Sequence, residues 1–291
     1  MKRAAARALV ALMEWTARWS PRARTRLGNV VGDLLWWLVW PRRRIALVNL
    51  ALCFPEKSAA ERAAIGRRAL RNLARAFIDH GVLARASREQ LERFVRVEGA
   101  EHLTDPANRP LILVAPHFAG LDAGGVRLNT FARGVSIYAR SRNAEWDRWL
   151  LAIRNRFSAP LLIAREGFDL RAVVRALRQG LPFYYLPDQD PGERNGVFVP
   201  FFGIEAATLP MVARLAEMTG AKVMMCVTEM MPDGYVLHLE LPWRDYPSGD
   251  VVADTARMNA EIERWVRRLP DQYLWTHKRF KTRPAGAPSF Y

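Results

Sequence analysis

Hydrophobic positions along the chain change their spacing near residue 94, and the predicted elements change with them. Before that point apolar residues recur every three or four positions. Ala8, Leu12, Trp15 and Trp19 make one stripe, with Arg7, Glu14 and Arg18 on another face, as in an amphipathic helix. "SAAE" (58–61) has the form of a capping box, in which a serine and a glutamate satisfy the free amides at a helix start. A long helix is predicted from there, with Leu70, Leu73, Phe77 and Ile78 on its buried face. Beyond residue 94 come short apolar runs: "FVRVEG" (94–99), "LILVA" (111–115), "VSIYA" (135–139), "LLIA" (161–164), "FYYLP" (183–187), "KVMMCV" (222–227) and "YVLHLEL" (235–241). Helical stretches near 144–155, 168–179, 207–219 and 250–269 separate them. This alternation predicts an α/β fold: a mainly parallel, mixed sheet with flanking helices, its last two strands resembling an antiparallel hairpin.

Composition supports a large core, since 50% of the 291 residues are hydrophobic and 25% charged. Charge changes the picture more. The net charge is +15, arginine supplies most of it, and its distribution is uneven. Residues 1–45 hold ten basic residues against Glu14 and Asp33, and five of the ten tryptophans (Trp15, Trp19, Trp36, Trp37, Trp40). Arginine interleaved with tryptophan is the composition of a membrane–water interface, where indole sits at headgroup level and arginine meets anionic lipid. Arginine enrichment through the codon bias of a GC-rich genome is the bland alternative. The longest apolar run, "LGNVVGDLLWWLVW" (27–40), is 14 residues and contains Asn29 and Asp33. A helix needs about 20 apolar residues to cross a bilayer. A signal peptide would need a longer apolar stretch and a small-residue cleavage site. The expected organisation is therefore a membrane-seated helical segment (1–45), peripheral rather than spanning, ahead of a single α/β domain (46–291). Cys53 and Cys226 have apolar surroundings and no ligand spacing, which implies reduced core thiols and no metal site. A basic chain could also be a nucleic-acid binder, but the α/β alternation and the interfacial N-terminus oppose that, and no recognition motif is present.

In open α/β sheets, reactive groups collect at the carboxyl ends of strands. Four predicted strand ends here deliver His, Asp or Arg: His117 after 111–115, Arg140 and Arg142 after 135–138, Arg165 after 161–163, and Asp188 and Asp190 in "DQD" after 183–186. Histidine is suited to take a proton near neutral pH, and a carboxylate on its second nitrogen would fix its tautomer. In "HFAGLD" (117–122), Asp122 in a first helical turn could turn back to His117; a helix-capping role is the bland reading of that aspartate. With no serine or cysteine in the motif, the simplest chemistry is activation of a substrate hydroxyl for attack on an activated carbonyl. Gly120, Gly124 and Gly125 would permit close backbone approach or simply pack on the sheet. Near the C-terminus, Lys278, Arg279 and Lys281 form a basic cluster, either a solvated patch or a headgroup site. His277 beside them would hold anion more readily than act in catalysis. "FVPFFG" (198–203) could line an acyl pocket or belong to the core.

H-x4-D after a strand resembles the glycerolipid acyltransferase superfamily. The blocks "RLGNVVGDLLWWL", "RRRIALVNLALCFPEKSAAER", "PDQDPGERNGVFVPFFGIEAATLP" and "NAEIERWVRRLPDQYLWTHKRFKTRP" are similar, more specifically, to the late acyltransferases of lipid A biosynthesis. That resemblance covers about residues 27–291. It implies an acyl–acyl carrier protein donor, a Kdo-bearing lipid A precursor as acceptor, no cofactor, and the cytoplasmic face of the inner membrane. By position it makes His117 the general base and Asp122 its orienting partner, and matches Arg165 to an arginine for substrate phosphate. Asp188 and Asp190 flank the block that replaces the acidic Gly-Thr-Arg motif of the glycerolipid enzymes; with Arg140, Arg142, Arg165, Lys278 and Arg279 they make up the expected substrate-binding set. Two departures stand out. Many members carry Glu where this chain has Asp122, and the usual N-terminal transmembrane anchor is missing or reduced to residues 4–20. Another membrane glycolipid or a glycerolipid is the alternative acceptor.

Overall fold

The computed structural model describes residues 3–291; Lys2, counted above in the basic segment, lies outside the described residues. Helices come first: α1 (Arg3–Thr16), α2 (Pro21–Leu38), α3 (Trp40–Cys53), α4 (Ala59–Arg85) and α5 (Arg88–Phe94). Then follow β1 (Val95–Glu98), α6 (Ala100–Thr104), β2 (Leu111–Val114), α7 (Leu121–Leu128), β3 (Val135–Tyr138), α8 (Ala144–Arg154), β4 (Leu161–Ala164), α9 (Leu170–Arg178) and β5 (Phe183–Tyr185). The chain closes with β6 (Val197–Phe201), β7 (Ile204–Thr208), α10 (Met211–Thr219), β8 (Lys222–Met231), β9 (Gly234–Leu239) and α11 (Val251–Arg268).

Seven strands form one sheet in the order β1-β9-β8-β2-β5-β3-β4, parallel throughout except for the antiparallel β8–β9 pair. The expected mixed α/β sheet, including its closing hairpin, is therefore present. Each apolar run has its strand because both faces are covered: Ile112 and Val114 pack into one core layer, Leu111, Leu113 and Ala115 into the other. On β8 the same alternation sends Val223, Met225 and Val227 one way and Met224 and Cys226 the other. Cys53 and Cys226 are buried free thiols.

α4 begins at the expected capping box, with Ser58 and Glu61 bonding each other's backbone N–H. Over its 27 residues it passes from one core layer to the other, giving Ile65 and Ala69 to the first and Ala76 and Leu83 to the second. α1 and α2 lie against α4. Two α2 glycines allow the approach: a Cβ on Gly32 would stand 2.4 Å from the Arg71 Cα, and one on Gly28 2.7 Å from the Arg75 Cβ. Asp33 then accepts paired hydrogen bonds from Arg67 and Arg71 at 2.6–2.8 Å. Deeper in the same interface, Asp79 accepts from Arg24 (2.6 Å) and from the Tyr235 hydroxyl (2.9 Å), tying α2 and α4 to β9.

One pair of strands was not anticipated. The "FVPFFG" run is mostly β6, paired antiparallel with β7 outside the main sheet. Because β7 holds residues to Thr208, the helix expected from 207 starts at Met211.

Candidate active site

β2, β5, β3 and β4 run parallel, so the segments after them emerge along one sheet edge. Pairing with β5 continues one step past β2, the Ala115 N–H donating to the Tyr185 carbonyl at 2.8 Å. Pro116 then ends the strand and His117 begins the crossover to α7. The crossover is braced by the segment after α11: the Ala119 N–H donates to the Gln272 carbonyl (2.8 Å), and the Leu274 N–H to the His117 carbonyl (3.0 Å).

Asp188, at the adjoining strand end, grips His117 twice. Its Oδ1 accepts from the ring Nδ1–H at 2.7 Å and its Oδ2 from the His117 backbone N–H at 3.0 Å. Burial pushes the Asp188 carboxyl up, but the charge of the His117 ring in its protonated form and these hydrogen bonds outweigh it and hold the group down at about 2. With the proton on Nδ1, the Nε2 lone pair is left to accept, and it accepts from the Gln189 side-chain amide at 3.1 Å.

The expected pairing of His117 with Asp122 is corrected by this geometry. Asp122 does lie in the first turn of α7, but its carboxylate is held elsewhere. Oδ1 accepts from Arg154 Nη2 (2.9 Å) and Nε (3.3 Å) on α8, and Oδ2 faces His80 Nε2 (3.1 Å) on α4. Burial raises the Asp122 carboxyl, while Arg154 and His80 override it and leave the group well below the usual carboxylate range. The physical reason for the switch is competition. The Asp188 carboxylate already occupies His117 Nδ1, and two cations claim Asp122. His80, which has no motif around it in the sequence, is thereby part of the site.

The remaining expected residues divide. Arg140, Arg142 and Arg165 are exposed at the strand ends where they were expected and do not line the cavities described below. Asp190 anchors its loop, accepting from the Thr282 N–H (2.7 Å), the Thr282 hydroxyl (2.8 Å) and the Gly192 N–H (2.8 Å). Arg279 is buried, and its guanidinium donates to the Ala207 carbonyl (2.6 Å) and the Thr208 hydroxyl (2.7 Å) of β7; it braces the hairpin and is not part of a headgroup patch. Lys278 and Lys281 are exposed. His277 Nε2 accepts from the Asp190 N–H (3.1 Å), and burial lowers its proton affinity, so it too serves the loop. Among the described residues no cluster of three or more His, Cys, Asp or Glu is set to hold a metal ion.

Two apolar cavities open at His117. The first, about 290 Å³, runs between α7 and the β3–β4–β5 part of the sheet, lined by Val126, Leu128, Val135, Ile137, Leu162 and Tyr184 among others. The second, about 210 Å³, follows α4 past Leu70, Leu73 and Phe77 towards Leu274 and Trp275. His117, Leu121 and Asp122 belong to both, so the histidine stands where the two meet. The glycines of the motif have different reasons. A Cβ on Gly124 would come within 2.0 Å of the Thr228 Oγ1, and one on Gly120 within 2.7 Å of the Thr228 carbonyl, so both are packing glycines. Gly125 instead faces the first cavity, with only the Tyr184 ring at 3.6 Å.

Comparison with known proteins bears on this arrangement. The lauroyltransferase of lipid A biosynthesis from Escherichia coli is 34% identical over 271 residues, which is 91% of this chain and 88% of the relative. The corresponding E. coli palmitoleoyltransferase is 33% identical (91% and 87% covered), and the myristoyltransferase 31% (95% and 87%). A crystal structure of the 1-acyl-sn-glycerophosphate acyltransferase of Thermotoga maritima aligns with a TM-score of 0.38 at 18% identity, covering 86% of this chain and 99% of that one. The family model for bacterial lipid A biosynthesis acyltransferases matches residues 2–282. The chain is an acyltransferase and belongs to the bacterial lipid A biosynthesis acyltransferase family.

Proposed function

We propose that this enzyme moves an acyl chain from acyl–acyl carrier protein to the hydroxyl of a 3-hydroxyacyl chain on a Kdo-bearing lipid A precursor. His117 is the general base and Asp188 its orienting partner. The observation that carries this reading is the meeting of two apolar cavities at one histidine with an oriented lone pair. A transfer between two lipid chains needs that: each chain is withdrawn from water, and their reacting ends are held together at the base.

The larger cavity suits the donor chain, and the one along α4 the acceptor chain, because Leu73 and Phe77 at its side are half exposed. The acceptor hydroxyl takes the place of the Gln189 amide at Nε2 and gives up its proton as its oxygen attacks the thioester carbonyl. Asp188 stabilises the imidazolium that forms. Collapse of the tetrahedral intermediate breaks the C–S bond, and the carrier thiolate leaves with the proton from Nε2. Ester and free carrier thiol are the products.

The reading places residues 1–45 on the cytoplasmic face of the inner membrane, as a peripheral segment ahead of one catalytic domain (46–291). No helix among the described residues is long and apolar enough to cross a membrane. Val30, Leu34, Trp37, Leu38 and Trp40 are 56–77% exposed on α2 and α3, an apolar face suited to a lipid surface. Arg43 stacks over Trp36 and Trp37 at its margin (4.9 and 4.8 Å), where anionic headgroups would lie.

The test is transfer by the purified protein from defined acyl–acyl carrier proteins to precursor with and without Kdo, read by mass spectrometry. One added acyl chain in ester linkage to a primary 3-hydroxyacyl group is expected. Transfer to a lysophospholipid but not to lipid A precursor would overturn the reading.

A further inference from the structure

The two nitrogens of His80 both face oxygen acceptors. Nδ1 lies 3.0 Å from the Ala76 carbonyl one turn back on α4, and Nε2 lies 3.1 Å from Asp122 Oδ2. A carbonyl cannot donate, and Asp122 is ionised between its cations. A neutral imidazole, with one N–H, would leave one of these contacts as a repulsion between lone pairs. Only the imidazolium satisfies both, and the ring is buried, where an unmet contact is costly. His80 is therefore charged at rest; the Nε2 of His117, by contrast, faces a donor, the Gln189 side-chain amide.

The cluster it completes is a line of three charges, His80 on α4, Asp122 on α7 and Arg154 on α8, carrying a net charge of +1. Arg154 uses Nε and Nη2 on Asp122; its Nη1 has no hydrogen-bond partner among the described residues, and the side chain lines the first cavity. Asp122 lies at the meeting point of both cavities with His117. When the acceptor oxygen attacks the thioester, the carbonyl oxygen at this junction becomes an anion, and the site needs a cation whose position does not relax away.

We propose that His80 is a positioning residue, an imidazolium at neutral pH, which locks Asp122 so that Arg154 presents its free N–H groups to the oxyanion in the first cavity. His80 itself touches neither substrate and transfers no proton. The proposal rests on the acyl-transfer reading given above. It assigns Asp122 a task other than orienting the base: Asp122 is the shared counter-ion of two cations.

The groups facing His80 fix the sign of its pH dependence. Asp122 from α7 and Arg154 from α8 are the charged ones, Trp149 of α8 and Phe77 of its own helix lie beside it as tilted rings, and His117 lies across the second cavity. Burial opposes the charge, and the Asp122 hydrogen bond and charge outweigh it, so the ring holds its proton above its ordinary 6.5. The lock is complete below that pH and is lost as pH rises through the elevated value.

The experiment has two arms on the full-length protein in lipid nanodiscs. In the first, the histidine side chains are labelled with 15N and titrated by NMR, with His80→Gln to assign the signal. The expected result is an imidazolium at His80 at pH 7, lost at a lower pH in Asp122→Asn. A neutral ring at pH 7 overturns the proposal, whatever the substrate proves to be. In the second, His80→Gln should lower kcat by about 10–100-fold, part of the loss seen when an oxyanion donor is removed outright. KM should change little, and the alkaline limb of the wild-type pH–rate profile should disappear. A folded His80→Gln protein with wild-type kcat and an unchanged alkaline limb overturns it as well. Absence of transfer by the wild-type enzyme would instead refute the acyl-transfer reading and leave the NMR arm to decide on His80.

Discussion

The carboxylate of Asp188 holds His117 at two points, the ring Nδ1–H at 2.7 Å and the backbone N–H at 3.0 Å, across 71 residues of sequence. One group thus sets the tautomer of His117, the proposed base, and the path of the loop that carries it. Asp188→Asn keeps the size and loses the charge, and it can offer Nδ1 a donor, which selects the wrong tautomer. Acyl transfer should fall on the order of 10²–10⁴-fold, close to the loss expected for His117→Ala. Acid stability should change too. A carboxyl held at about 2 against an ordinary 3.8 contributes fully above pH 3.8, and that contribution is lost as pH falls through 2. The wild-type protein should therefore lose more of its stability over this window than Asp188→Asn, measured by thermal melts from pH 5 to 2. Wild-type turnover in folded Asp188→Asn would end its role as partner of the base.

Gln189 donates to His117 Nε2, the nitrogen proposed to accept the substrate proton. Its amide is replaced when the acceptor hydroxyl arrives, so Gln189→Ala should leave kcat within about tenfold of wild type, the cost of one neutral hydrogen bond being about 0.5–1.5 kcal/mol. Gln189→Glu should be far worse at neutral pH. A second carboxylate would keep a proton on Nε2, and the base would be occupied before substrate binds. Equal rates for the two variants would show that the 189 side chain does not sit at the reacting nitrogen during turnover.

The exposed face of α2 gives a membrane prediction. Leu34 and Trp37 are 56% and 65% exposed, while the neighbouring Asp33 turns inward to Arg67 and Arg71. Burying a large apolar side chain is worth about 1.5–3 kcal/mol, so the double variant Leu34→Glu, Trp37→Glu should bind anionic vesicles at least about tenfold more weakly. Its melting temperature should hold, because neither side chain is in the core. High salt should release part of the wild-type protein, since attraction between arginine and anionic lipid is screened. Vesicle binding unchanged by the double variant would place the lipid-facing surface elsewhere.

Much of this architecture could be read from periodicity because the sheet is buried on both faces and each strand is a short apolar run between helical stretches. The strand-end rule also brought His117 and the "DQD" loop to one edge. It could not rank two aspartates two residues apart: Asp188 turns in to His117, while Asp190 turns out to Thr282. Lys278 and Arg279 are alike as charges in a sequence, yet one is exposed and the other is 3% exposed beneath β7. The β6–β7 hairpin gives no signal in the sequence because its turn is Phe202–Gly203, both at positive φ (54° and 73°), without the usual Asn-Gly pair. Phe202 is held there by tertiary contacts, its N–H donating to Glu263 at 2.6 Å with Arg267 stacked over its ring. His80 leaves no signal in the sequence because its carboxylate partner, Asp122, lies on another helix, and spacing within one helix carries no trace of it.

Adjacent glycines on α7 give the sharpest test of the cavity assignment. Gly124 has no room for a methyl group, since its Cβ would stand 2.0 Å from the Thr228 Oγ1. Gly124→Ala should therefore destabilise the protein by about 1–3 kcal/mol, the usual cost of overpacking. Gly125→Ala meets only the Tyr184 ring at 3.6 Å, an ordinary contact, and removes a helix-interior glycine. It should be neutral or stabilising by up to about 1 kcal/mol. That contrast licenses a larger change at the second position. Gly125→Leu would project four carbons into the first cavity, where the donor chain is proposed to lie, without disturbing the sheet contact. Competition assays with a mixture of acyl–acyl carrier proteins should then show the preferred donor shortened by two or more carbons, while KM for the acceptor holds. If the chain-length profile stays as in wild type, the donor chain does not run along α7, and the assignment of the two cavities must be reversed.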